Sequence, residues 1–229
     1  TTRRRMTALV QIDEKLQHAT EPKQRFGSLR FPSSKAAPAR WLSVPIPRGT
    51  SHERLQSVSK ELRKMMTGDD PRCVWNLPPP SAVISVTGGA QSLELTDKQK
   101  LVFRHGLQSA ATRAKAWIFD GGTNYGVMEL VGKTMQDSPG LPCIGVAPWG
   151  VVHKHENMLE QIEKKKYPGL VFAYDGQSEH EAKSREDRSE VRVALDPHHS
   201  HFILVDDGFE GFDAFQGEIA LRAELDRVP

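Results

Sequence analysis

The sequence predicts an α/β protein built on one mainly parallel sheet, and three observations carry that prediction. Short apolar runs alternate with helix-forming stretches, glycine pairs follow two of those runs, and a third run ends in small and acidic residues. The first run, Ala82-Val83-Ile84-Ser85-Val86, ends in Thr87-Gly88-Gly89-Ala90; the second, Ala116-Trp117-Ile118-Phe119-Asp120, ends in Gly121-Gly122-Thr123. A later run, His201-Phe202-Ile203-Leu204-Val205, ends in Asp206-Asp207-Gly208. Strand and helix in alternation describe parallel strands joined by crossover helices. Parallel strands leave their C-terminal ends side by side, so the three turns are expected along one sheet edge.

The elements follow in order. Residues 1 to 40 are polar, basic and proline-containing, with Phe26 to Phe31 the one stretch able to pair as a strand, so an irregular arm is expected there. Arg40-Trp41-Leu42-Ser43-Val44 alternates as a strand does. Ser51 can cap a helix that puts Leu55, Val58, Leu62 and Met65 on one face. Asp69-Asp70-Pro71 and Pro78-Pro79-Pro80 then interrupt the chain. They place a boundary near residue 75, between an N-terminal arm with its strand-helix unit (1–75) and a main body (76–229) on which that unit packs. Within the body, Thr96-Asp97-Lys98-Gln99 is a capping box for a helix carrying Leu101, Val102, Leu107, Ala110 and Ala114. Met128, Val131 and Met135 stand at core spacing on the helix after the second glycine turn, and Pro142 to Ala147 reads as a buried strand. Ser178 to Arg192, rich in Glu, Lys, Arg and Ser, is expected as a solvated loop or disordered insertion.

Composition narrows the class of function. A chain of 229 residues with 38% hydrophobic and 26% charged content can bury a real core, and a net charge of +2 is too small to argue for nucleic acid as a partner. No apolar run approaches the ~20 residues that cross a bilayer, and no apolar core follows Arg3-Arg4-Arg5 as in a signal peptide. Two cysteines, Cys73 and Cys143, form neither a disulfide framework nor a zinc pattern, which favours a reducing, cytosolic setting.

The glycine turns point to a phosphate cradle. Glycine admits close approach of backbone to a phosphate, and the helix that follows each turn aims its N-terminal N–H groups into the crevice. Neither G-x-x-x-x-G-K-[ST] nor G-x-G-x-x-G is present, which disfavours a P-loop NTPase or an ordinary dinucleotide dehydrogenase. Arg222 adds a guanidinium able to grip a diphosphate bidentately, on a helix expected from about Gln216 to Arg227. By spacing alone, an ion pair with Glu218 one turn earlier is an equal alternative.

Several runs together resemble the N-terminal melastatin homology regions of TRPM cation channels. These are Ile84 to Ala90, Ala116-Trp117-Ile118 before Gly121-Gly122, Gly126-Val127-Met128, Ile144-Gly145-Val146-Ala147 with Trp149-Gly150, and His199 to Gly208. The likeness runs from about Phe26 to the C-terminus. It implies a Rossmann-like three-layer fold of the SLOG superfamily, whose members bind nucleotide-derived ligands, on the cytosolic side of a homotetrameric plasma-membrane channel. The member it most resembles is ADP-ribose-gated and calcium-permeable, and there a tyrosine stacks on the ligand while an arginine seven residues later contacts phosphate, within a run like Y-G-V-E-I-P-L-R. The matching run here is Phe215-Gln216-Gly217-Glu218-Ile219-Ala220-Leu221-Arg222, which keeps the arginine and the ring but not the hydroxyl. The resemblance thus implies ADP-ribose or a related adenine nucleotide as ligand, with no catalytic cofactor. The ligand-binding residues expected are Thr87, Gly88, Gly89, Ala90, Gly121, Gly122, Thr123, Gly126, Val127, Met128, Trp149, Asp207, Gly208, Phe215 and Arg222.

Three other readings arise. His198-His199-Ser200-His201 lacks a Cys or acidic partner at zinc-ligand spacing and reads as a hydrogen-bonded strand entry rather than a metal site. Glu129 is similar in place to the glutamate of nucleotide-cleaving SLOG enzymes, which implies an N-glycosidic hydrolase as the alternative function, but Asp120 stands where their motif has proline. A structural assembly module with an empty crevice is the third reading.

Overall fold

The computed structural model describes residues 26–68, 73–88, 94–164, 171–176 and 191–227. The arm over 1–25, the Asp69-Asp70-Pro71 turn and most of the charged stretch from Ser178 lie outside the described residues. In chain order the elements are β1 (Phe26–Arg30), β2 (Ala39–Pro45), α1 (His52–Met66), β3 (Ala82–Ser85), α2 (Asp97–Ala114), β4 (Ala116–Asp120), α3 (Gly126–Met135), β5 (Cys143–Pro148), α4 (His155–Lys164), β6 (Val171–Ala173), β7 (His201–Asp206) and α5 (Ile219–Leu225).

All seven strands form one sheet in the order β3-β4-β5-β7-β2-β1-β6. The five from β3 to β2 are parallel; β1 runs antiparallel to β2, and β6 is parallel to β1. Side chains alternate across the sheet with period two. Trp117, Phe119, Ile144, Val146, Ile203, Val205, Leu42 and Val44 face one side, where Leu55, Val58, Leu62, Met65 and Met66 of α1 and Leu221 and Leu225 of α5 cover them. Ile118 and Cys143 face the other side with Leu107 and Ala111 of α2 and Val131 and Met135 of α3, and Trp41, Phe202 and Leu204 meet Met158 of α4 there. Helices therefore cover both faces, as the α/β prediction requires.

Local signals explain the helix ends. The Ser51 hydroxyl accepts from the Arg54 N–H at the start of α1. Thr96 and Gln99 form the reciprocal capping box at the start of α2. Leu101 and Val102 are 51% and 66% exposed, because α2 buries Leu107 and Ala111 in its second half, with Phe103 only partly buried before them.

The boundary expected near residue 75 is not a break in the sheet. β2 sits between β7 and β1, in register with β7 from Arg40↔His201 to Pro45↔Asp206. The strand-helix unit is thus an internal part of the sheet and its core, not an addition to a complete body. The physical reason is the apolar side chains of β2, for Trp41, Leu42 and Val44 are all buried and need layers on both faces. The prolines mark only a connection. β6, three residues long at the sheet edge, had no distinct signal in the sequence.

Candidate functional site

Because β3, β4, β5, β7 and β2 are parallel, their C-terminal ends and the turns that follow share one edge. The first two glycine turns are neighbours there. Thr87 and Gly88 are exposed, and a Cβ on Gly88 would lie 3.0 Å from Cγ1 of Val127, in the first turn of α3. A Cβ on Gly121 would meet Met128 Cγ at 3.4 Å. Both turns therefore lie against the N-terminal turn of one helix, where N–H groups and a partial positive charge gather. Gly126 takes φ +58 to begin that helix.

Arg222 reaches the same place. Its Nη2 donates to the Val86 carbonyl at 2.6 Å and to Ser85 Oγ at 3.3 Å, so the guanidinium is held at the end of β3 beside Thr87. Its Nε is buried with no hydrogen-bond partner. The guanidinium goes to β3 rather than to Glu218. Burial pushes the Glu218 carboxyl up from the usual range, against the pull of Arg222. Leu221 and Leu225 anchor α5 in the core, which leaves Arg222 on the half-buried side.

The other expected residues divide. Phe215 is half-buried against Val151, Val193 and Ala214. It also lines a cavity of about 260 Å³ with Ile46, Arg48, Gln216 and Gly217 at the ends of β2 and β7. Gly208 is exposed at φ +81 with open space around it. Asp207 is buried, and its Oδ2 accepts from Arg48 Nε at 2.8 Å, so it is a structural partner rather than an open acceptor. Arg48 also donates to the Asp213 carbonyl and lies 4.0 Å over the Phe209 ring. Sequence reasoning missed Arg48; its signal was a position three residues past a strand of the same parallel set.

Four further residues of the expected set are packed rather than open. Trp149 is 4% exposed, stacked on Trp41 at 5.8 Å and edge-on to His155 at 5.3 Å, so no indole face is open to a ligand. Gly122 has φ +68, and a Cβ there would lie 2.7 Å from the Gly145 Cα. Its lack of a side chain serves the close packing of its backbone on that of Gly145, and its N–H already donates to Asp120 Oδ1 at 2.7 Å. Thr123 is buried and bridges to Leu195, and Met128 is 7% exposed, packed beneath Gly121 rather than lining the crevice. Gly89 and Ala90 lie outside the described residues. What remains at the first crevice is Thr87, Gly88, Gly121, the start of α3 at Gly126 and Val127, and Arg222.

The histidine run holds acidic partners that its zinc-ligand spacing did not suggest: Asp196 stands three residues before His199, and Asp120 is 79 residues earlier. His199 Nε2 lies 2.8 Å from Asp120 Oδ1 and its Nδ1 lies 3.0 Å from Asp196 Oδ1, all three groups buried. Burial alone would lower the His199 pKa; the Asp120 charge, the neighbouring Cys143 and the hydrogen bonds to Asp120 and Asp196 outweigh it and hold the pKa well above the ordinary value. Asp120, Cys143 and His199 offer atoms within 4.8 Å of one another. Both ring nitrogens face carboxylate oxygens, which is the geometry of an ion pair. At the opposite sheet edge a groove of about 950 Å³ is lined by Arg40, Trp75 and His201 among others, without a glycine turn.

Comparison with known proteins agrees with the fold. The family described as SLOG in TRPM matches residues 55–228. The chain is 38% identical over 161 residues to a transient receptor potential cation channel subfamily M member-like 2 of Nematostella vectensis, and 37% identical over 161 residues to subfamily M member 2 of Mus musculus. Each alignment covers 67% of this chain and 10% of the relative. Subfamily M member 7 of Homo sapiens is 35% identical over 159 residues, covering 67% of the chain and 8% of the relative. The chain belongs to the SLOG domains of TRPM channels. It spans about a tenth of the length of the relatives it matches, and no helix among the described residues is long and apolar enough to cross a membrane.

Proposed function

We propose that this chain is the ligand-sensing domain of a calcium-permeable TRPM-type channel, on the cytoplasmic side of the plasma membrane in a homotetramer. ADP-ribose or a related adenine nucleotide binds along the C-terminal sheet edge. The observation that carries the reading is the placement of Arg222 at the end of β3, on the Val86 carbonyl one residue before the Thr87-Gly88 turn, where Gly88 lies against Val127 in the first turn of α3. Main-chain N–H groups, a helix N-terminus and a guanidinium there suit a pyrophosphate. Phe215 stands at the other end of the edge. The ends of β3 and β7 are three strand spacings apart, about 14 Å at the usual separation, so the ligand is extended, with its phosphates at Arg222 and its ring system toward Phe215 and Gly208. Binding biases gating only through different affinities for two channel states.

The hydrolase alternative finds no support at Glu129. Its carboxylate pairs with Lys133 one turn along α3, at 2.5 Å, as a surface helix glutamate does. Calorimetric titration of the chain with a panel of adenine nucleotides tests the proposal. ADP-ribose should bind and be recovered intact. Arg222→Lys, which keeps a charge but not the fork, and Arg222→Ala should weaken binding, the latter by about 1–3 kcal/mol. Silence across the whole panel overturns the sensor reading, turnover of the ligand would replace it with the enzyme, and unchanged affinity in Arg222→Ala removes that residue from the site.

A further inference from the structure

Gly122 sits in a closed ring of hydrogen bonds. Its N–H donates to Asp120 Oδ1 at 2.7 Å, and its carbonyl accepts from the Asp196 N–H at 2.9 Å. Asp120 and Asp196, the two residues that hold the turn, are joined by one side chain, since His199 faces Oδ1 of each at 2.8 and 3.0 Å. Asp196 Oδ1 also accepts from the His198 N–H at 2.9 Å. The three segments meeting here are the end of β4, the start of β5 through Cys143, and the strand-like stretch before β7. That stretch bonds the turn again through the Asn124 N–H to the Ala194 carbonyl at 2.8 Å.

Neither wall leaves slack. Gly145 backbone backs Gly122 on one side, and α3 carries Gly132 where any Cβ would collide with the Asp196 carboxylate. Oδ2 of both aspartates is buried with no partner, so His199 is the one side chain among the described residues that answers either carboxylate. Carboxylate oxygens face both ring nitrogens of the one imidazole, and an imidazolium supplies an N–H to each. Unpaired, these buried charges would be costly and would drive the turn to rearrange.

We propose that His199 is a positioning residue for the nucleotide crevice: bridging Asp120 and Asp196, it holds the Gly121–Gly122 turn against the first turn of α3. This rests on the function proposed above, for which the turn is one wall of the site. His199 touches no ligand. It acts through Asp120 and Asp196, and Cys143 is the other titratable group beside it.

The test uses the whole chain and three readouts. In ¹⁵N spectra of the wild type at neutral pH, both ring nitrogens of His199 should be protonated; a neutral ring with a single N–H overturns the proposal. In His199→Gln, hydrogen exchange at Gly122 and Asn124 should quicken at least tenfold while exchange in β5 and β7 is kept, and ADP-ribose affinity should fall at least tenfold. Asp196→Asn in the otherwise wild-type chain, whose Oδ1 still accepts from both Nδ1–H and the His198 N–H, should keep near-wild-type exchange and affinity, whereas Asp196→Ala should not. Wild-type exchange in His199→Gln overturns the positioning role whether or not a ligand binds. A wild type that binds no adenine nucleotide overturns the sensor reading alone, and the exchange data then decide the role of His199. If His199→Gln does not fold, the wild-type ¹⁵N spectrum and the Asp196 pair decide it.

Discussion

His201 and His199 lie two residues apart and answer pH in opposite directions. His201 opens β7 with its ring 4.6 Å from that of Trp75, and burial, helped by the nearby Arg40 charge, lowers its pKa to about 3. Between the ordinary histidine value and about pH 3 the unfolded chain binds a proton that the folded chain refuses, so stability present above pH 6.5 is lost as pH falls through that window. Each unit there costs about 1.4 kcal/mol. His201→Phe should flatten the acid limb of a plot of thermal midpoint against pH; a limb as steep as the wild type's would assign the loss elsewhere. His199 has the reverse sign. Its raised pKa contributes stability that is full below the ordinary value and is lost as pH climbs through the folded value. At this scale the sequence distinguished residue types but not their partners. Gly122 read as a phosphate residue because a glycine after a strand looks the same whether a ligand or Gly145 occupies the space. Trp149 read as a ligand residue for the same reason, its neighbour Trp41 lying over a hundred residues earlier.

Elements are where local signals act most directly. α2 buries only Leu107 and Ala111, so its first turns depend on the Thr96–Gln99 box rather than on packing. Thr96→Ala should therefore cost about 1 kcal/mol in denaturant unfolding and speed exchange in the first turn of α2; no change in either would mean that the box is idle. α1 is the contrast, since Leu55, Val58, Leu62, Met65 and Met66 all enter the core. The period of α1 was legible for that reason. Leu101 and Val102 of α2 are exposed instead, because an apolar residue signals a face without saying how far along the helix the sheet extends. Arg222 was legible as a cation on a helix face, and only the crossing of α5 over the sheet edge decided between Glu218 and the β3 carbonyl.

At the scale of the molecule the sheet is continuous across the proline-rich break. A fragment beginning at residue 76 would lose β2 from the middle of the sheet, bare the edge of β7, and uncover Val205 and Ile203 where α1 now lies. Such a fragment should show no cooperative thermal transition, and one that melts like the whole chain would restore the two-part description. By itself the sequence determined the α/β class, the strand ends on one edge, the caps and the resemblance to the SLOG domains of TRPM channels, because apolar runs, glycine turns, capping pairs and short motifs are all set by neighbours within a few residues. Only the tertiary structure decided which glycines face solvent, that β2 is internal, that Trp149 is packed away and that His199 joins two aspartates. Those outcomes rest on contacts between residues tens to over a hundred positions apart, and close packing in the interior leaves each such space to one occupant.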